Sequence, residues 1–143
     1  MLNVIIFSKN YKNYKSGYYH DDIVSSWQKK CKVFIYGPGY PGYNLNDTFE
    51  TVLGKSGWQL LELDLIVIST SWDDDISTIN VNPHPKINLS GVFSAKKIYY
   101  LNKEYKKLSL RFEFASENKI DLVVTVHPSY RDWERMTKIK FIQ

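Results

Sequence analysis

Six short apolar runs, separated by stretches of a different character, constrain this chain more than any other feature. They are Asn3-Val4-Ile5-Ile6-Phe7, Val33-Phe34-Ile35-Tyr36, Leu65-Ile66-Val67-Ile68, Lys97-Ile98-Tyr99-Tyr100-Leu101, Leu122-Val123-Val124-Thr125-Val126 and Ile139-Lys140-Phe141-Ile142. Most are continuous rather than alternating, the pattern of strands covered on both faces and hence parallel. Helical character fills the gaps. Asp21 to Lys30 carries Ile23, Val24 and Trp27 on one face, and Asp47 to Lys55 carries Phe49, Val52 and Leu53. Tyr105 to Asn118 and Ser129 to Thr137 follow, the last with Ser129 as N-cap. Strands alternating with helices predict right-handed βαβ crossovers. The expected fold is α/β: a Rossmann-like, doubly wound three-layer sandwich with a mostly parallel sheet of about six strands.

At 143 residues the chain is expected to be one domain, 1–143, large enough for a single core. One connection breaks the rhythm. Ser69 to Ser94 contains no convincing helix and includes Asp73-Asp74-Asp75, Pro83 and Pro85. A connection of that length in a compact domain is usually functional or mobile.

In open α/β sheets, ligands bind beyond the carboxyl ends of the strands, so the segments there are the candidate site. Gly37-Pro38-Gly39-Tyr40-Pro41-Gly42-Tyr43 follows the second run, and three glycines and two prolines in seven residues cannot continue a strand or a helix. Ser8-Lys9, Ser69-Thr70-Ser71-Trp72-Asp73, Asn102-Lys103-Glu104-Tyr105 and His127-Pro128-Ser129 end the other runs. All are expected along one rim. The Gly/Pro loop is either a rigid turn packed with tyrosines or a ligand contact through Tyr40 or Tyr43. It lacks G-x-G-x-x-G and G-K-[ST], and Pro38 and Pro41 remove two amides that a phosphate nest would use.

His127 is the best acid/base candidate by its neutral-range imidazole. Glu104 is either paired with Lys103 or a substrate-binding carboxylate. Asp73-Asp74-Asp75 reads as solvated charge more readily than as a Mg²⁺ or Mn²⁺ site. Trp72 and Tyr105 suit packing better than sugar stacking, and His20 and His84 look less constrained. Ser71 lacks a nucleophile elbow. A phosphoacceptor receiver domain fits poorly, since Ile68-Ser69-Thr70-Ser71 stands where its aspartate belongs.

The formal charge of +4 comes mostly from scattered lysines, with arginine only at Arg111, Arg131 and Arg135. Nucleic acid is therefore not an expected partner. Cys31 is alone, which excludes a disulfide framework. No run has the length of a signal-peptide core or a membrane span, and a cytoplasmic location is expected by default.

Tyr36-Gly37-Pro38-Gly39-Tyr40-Pro41-Gly42-Tyr43 followed by Asn46-Asp47-Thr48 resembles a motif of GT-B glycosyltransferases, in the family-1-like, CgeB-related group. The likeness continues through Asp64-Leu65-Ile66-Val67, Ser71-Trp72 and Leu101-Asn102-Lys103-Glu104-Tyr105. It then runs through Lys119-Ile120-Asp121-Leu122-Val123 and His127 to Ile139-Lys140-Phe141-Ile142. The resemblance implies an acceptor-side N-terminal half, with the nucleotide-sugar donor held by a C-terminal domain that this sequence does not include. Such a half is expected to be catalytically incompetent alone, to bind a sugar or glycan acceptor, and to need no metal or other cofactor. The acceptor surface it implies comprises Gly37, Gly39, Tyr40, Gly42, Tyr43, Ser71, Trp72, Asn102 and Lys103. His127, Glu104 or Asp73 would serve as base in a complete enzyme. The competing reading is a non-catalytic, flavodoxin-like ligand-binding or protein-interaction module, with a homodimer over an apolar face as one form it could take.

Overall fold

The computed structural model describes residues 1–10, 18–72, 84, 86–101 and 107–143, with the backbone alone for 18–21. The described residues form six strands and four helices, which alternate except between the third and fourth strands. They are β1 (Asn3–Phe7), α1 (Tyr18–Gln28), β2 (Lys32–Tyr36), α2 (Phe49–Ser56), β3 (Leu65–Ile68), β4 (Lys96–Tyr100), α3 (Leu108–Glu117), β5 (Leu122–Val124), α4 (Tyr130–Thr137) and β6 (Lys140–Ile142). A 3₁₀ turn, Leu60–Glu62, precedes β3. All strands run parallel in one sheet of order β2-β1-β3-β4-β5-β6. The expected α/β, Rossmann-like architecture is the one observed.

That order explains where the helices lie. The chain steps one way from β1 to β2 and the other way at every later crossover. Right-handed connections send opposite steps to opposite faces of the sheet. Accordingly, Val24 and Trp27 of α1 pack with Val4, Ile6, Leu65 and Val67. Phe49 and Val52 of α2 and Phe114 and Ala115 of α3 share the core of the other face with Ile5, Phe7, Ile66, Ile68 and Tyr99, and Trp133 of α4 joins that face against Phe112 and Phe141. The central strands β1 and β3 are buried on both sides, as their unbroken apolar runs require.

Several boundaries move for identifiable reasons. Helix α2 starts at Phe49, two residues later than expected, because the Thr48 side chain caps it by accepting from the Thr51 amide at 3.3 Å. Helix α3 begins only at Leu108, since Lys107 is left-handed at φ 53°. Ser129 sits at the N-cap of α4, yet its side chain makes no cap bond. Strand β5 ends at Val124, where Thr125 donates its amide to the Ile142 carbonyl, the last residue of β6.

The outer edge of β6 is guarded. Thr125 takes the Ile142 carbonyl, so the groups of Ile142 face β5 and those of Phe141 face outward. The outward Phe141 amide donates to the Glu134 carboxylate of α4 at 2.8 Å. A side chain thus occupies the position that a further strand would take.

Candidate functional site

The strand order reverses between β1 and β3, and a crevice at their carboxyl ends is where sheets of this kind receive ligands. Serines line it. Ser8 continues the alternation of Val4 and Ile6, and Ser69 that of Leu65 and Val67, so both stand on the α1 side of the sheet. Ser8 Oγ and Ser71 Oγ are 2.9 Å apart, and the Lys9 amide donates to Ser71 Oγ at 2.8 Å. Ser8, Ser69 and Ser71 are all buried. Ser69 Oγ is fully enclosed and has no hydrogen-bond partner among the described residues, an unusual condition for a buried hydroxyl.

Beside the crevice, the Gly/Pro loop folds back onto the end of β1. The Asn10 amide donates to the Pro38 carbonyl at 2.8 Å, and Tyr40 closes a turn onto the Gly37 carbonyl at 3.0 Å. Gly37 is there because nothing larger fits: a Cβ would lie 1.7 Å from the Ser8 carbonyl oxygen and 3.2 Å from the Trp72 ring. The far end of the loop is anchored from below. The buried Tyr36 phenol donates to the Asp47 carboxylate and accepts from the Asn44 amide at 3.2 Å. Lys55 Nζ bridges Asp47 at 2.6 Å and the Gly42 carbonyl at 2.8 Å. Lys55 first, then Tyr36, holds the Asp47 carboxyl below its ordinary range. Burial first, then Asp47, raises the Tyr36 phenol.

Trp72 is not an open platform. It is 4% exposed, lies 5.0 Å from the Phe7 ring, and has the His84 ring against it at 4.0 Å between centroids. His84 Nδ1 shares a hydrogen bond of 2.7 Å with the Tyr43 hydroxyl. Burial pulls its pKa down to about 4, so the ring is neutral near pH 7. The histidine that looked unconstrained in sequence therefore joins the long β3–β4 connection to the Gly/Pro loop.

His127 lies on the same rim but in another neighbourhood. Parallel strands are about 4.8 Å apart, which puts the β5 end about 10 Å from β3 and about 19 Å from β2. Its Nδ1 accepts from the Ser129 amide at 3.1 Å, and its ring stacks on Trp133 at 4.5 Å. The neutral imidazole then carries its proton on Nε2, which makes it a donor rather than a base there. The ring thereby holds the backbone of Ser129, the N-cap residue of α4, although it does not replace the cap bond that the Ser129 side chain omits.

Thus Gly37, Gly39, Tyr40, Gly42, Tyr43, Ser71 and Trp72 belong to one neighbourhood, while His127 stands apart from it. Asp73, Asn102, Lys103, Glu104 and Tyr105 fall outside the described residues. Serine repeats at the ends of two buried runs were the signal available for Ser8 and Ser69, and no sequence signal marked His84. Among the described residues, no group of three His, Cys, Asp or Glu could hold a metal ion, and no helix is long and apolar enough to cross a membrane. The chain matches no protein-family model, no curated protein and no solved structure.

Proposed function

We propose that this domain binds a hydroxyl-rich ligand, a sugar or glycan acceptor, in the serine-lined crevice between the ends of β1 and β3. The observation that carries this reading is Ser69 Oγ, buried and without a partner among the described residues, beside the Ser8–Ser71 pair. Neutral hydroxyls suit a neutral polyol, to which they can both donate and accept. The Gly/Pro loop and the Tyr43–His84–Trp72 cluster act here as the wall of the crevice, not as its stacking surface. This agrees with the acceptor-side role that the GT-B resemblance implies. Sugar transfer would then require a nucleotide-sugar donor domain in addition to this one.

Titration of ¹⁵N-labelled chain with a panel of mono- and oligosaccharides tests this. Amide shifts should cluster at Ser8, Lys9, Ser69 and Ser71, and Ser69→Ala should weaken them. Shifts scattered elsewhere, or none with any sugar, would end the proposal. The second reading, a non-catalytic flavodoxin-like interaction module, is favoured by a different feature, the sheet face that carries only α1 among the described helices.

A further inference from the structure

Only α1 among the described helices lies on its side of the sheet, and it packs over β1, β2 and β3, reaching Ile98 and Tyr100 of β4. On that side β4, β5 and β6 present Ile98, Tyr100, Leu122, Val124 and Ile142 in consecutive register. All five are half-buried or exposed, with Ile142 at 42%. Parallel sheets are ordinarily covered on both faces, and a contiguous apolar patch left open marks an interaction surface. A groove of about 580 Å³ runs between α1 and this patch, lined by Leu2, Trp27, Lys30, Cys31 and Tyr100.

We propose that an amphipathic α-helix from an acidic partner polypeptide docks on this face, antiparallel or parallel to α1. Width points to a helix: β4 to β6 spans about 10 Å, the diameter of one helix laid beside α1. The groove beside α1 would receive one row of its apolar side chains, ridges into a groove. Charge selects the partner. Lys30, Lys96 and Lys140 border the patch, and Lys30 and Lys140 make no ion pair among the described residues. The nearby carboxylate, Asp121, is already engaged by Lys96 at 3.8 Å. A second copy of this chain would bring the same lysines and a charge of +4 against them, so self-pairing is disfavoured. Carboxylates flanking an apolar helical stripe would complement them.

The test uses two synthetic peptides of about 18 residues, roughly 27 Å as helices, with leucine on one face and either glutamate or lysine on the other. Fluorescence anisotropy at about 0.15 M salt should show the acidic peptide binding at least about ten-fold more tightly. Ile142→Glu should abolish that binding. Lys140→Glu, a surface change with little effect on folding, should narrow the preference between the peptides. Leu61→Glu, at an exposed position on the 3₁₀ turn, should change nothing. Equal affinity for both peptides, binding indifferent to Ile142→Glu, or no binding of either overturns the proposal. So does a dimer in light scattering that Ile142→Glu dissociates, which would make a second copy the occupant.

Discussion

Gly37 and Ser8 meet backbone to backbone, so closely that the glycine hydrogen occupies the one space the Ser8 carbonyl leaves. This contact seals the ends of β1 and β2 together and sets the position of the Gly/Pro loop. Gly37→Ala is therefore expected to cost more than about 3 kcal/mol, since backbone rather than a flexible side chain must move. Gly42 has φ 83° but open space around its missing Cβ, so Gly42→Ala should cost only about 1 kcal/mol. Urea denaturation of the two variants distinguishes them, and equal losses would refute the close-contact account.

Acid should destabilise the protein in two stages. His84 has its folded pKa lowered from 6.5 to about 4 by burial, so the unfolded chain binds its proton more readily. Its contribution is complete above pH 6.5 and is lost as pH falls towards 4, about 3 kcal/mol in all. Asp47, with its folded pKa lowered below 3.8, contributes stability above that value, and this is lost only as pH falls through the lower folded pKa. His84→Phe, which keeps a ring against Trp72, should flatten the upper stage alone. Asp47→Asn should remove the lower stage and leave the upper. Urea midpoints measured from pH 7.5 to pH 2.5 would reveal both.

Lys138 closes α4 in the left-handed region at φ 64°, a position that favours glycine, with its amide on the Glu134 carbonyl. Lys138→Gly should stabilise the domain by about 0.5–1 kcal/mol after the entropic cost of glycine. The melting temperature should rise by about 2–4 °C, as calorimetry can record. A fall would show that the lysine side chain contributes more than its backbone strain costs.

Glu134 holds the outward amide of edge strand β6. Glu134→Ala should lower stability by about 1 kcal/mol and, more tellingly, expose that edge to pairing with another chain. Size-exclusion chromatography over a concentration series should then show association that the parent chain lacks. Glu134→Gln, which retains an acceptor, should behave like the parent.

What could be read from the sequence was local. Continuous apolar runs at β1 and β3 announced strands buried on both faces, and capping residues around Thr48 announced α2, because periodicity and cap chemistry are carried by neighbours in the chain. The amino-acid order alone placed five polar turns at strand ends. It did not say how far apart along the rim those turns would fall. Strand order decided that, and it separates His127 from the Gly/Pro loop while bringing Ser8 to Ser71. Only the tertiary fold placed His84 between Trp72 and Tyr43, showed that Gly37 must clear the Ser8 carbonyl, and left the β5–β6 part of one sheet face without a helix among the described residues. Each of those facts depends on which segments become neighbours across the sheet, and that choice rests on crossover handedness and packing rather than on any local run of residues.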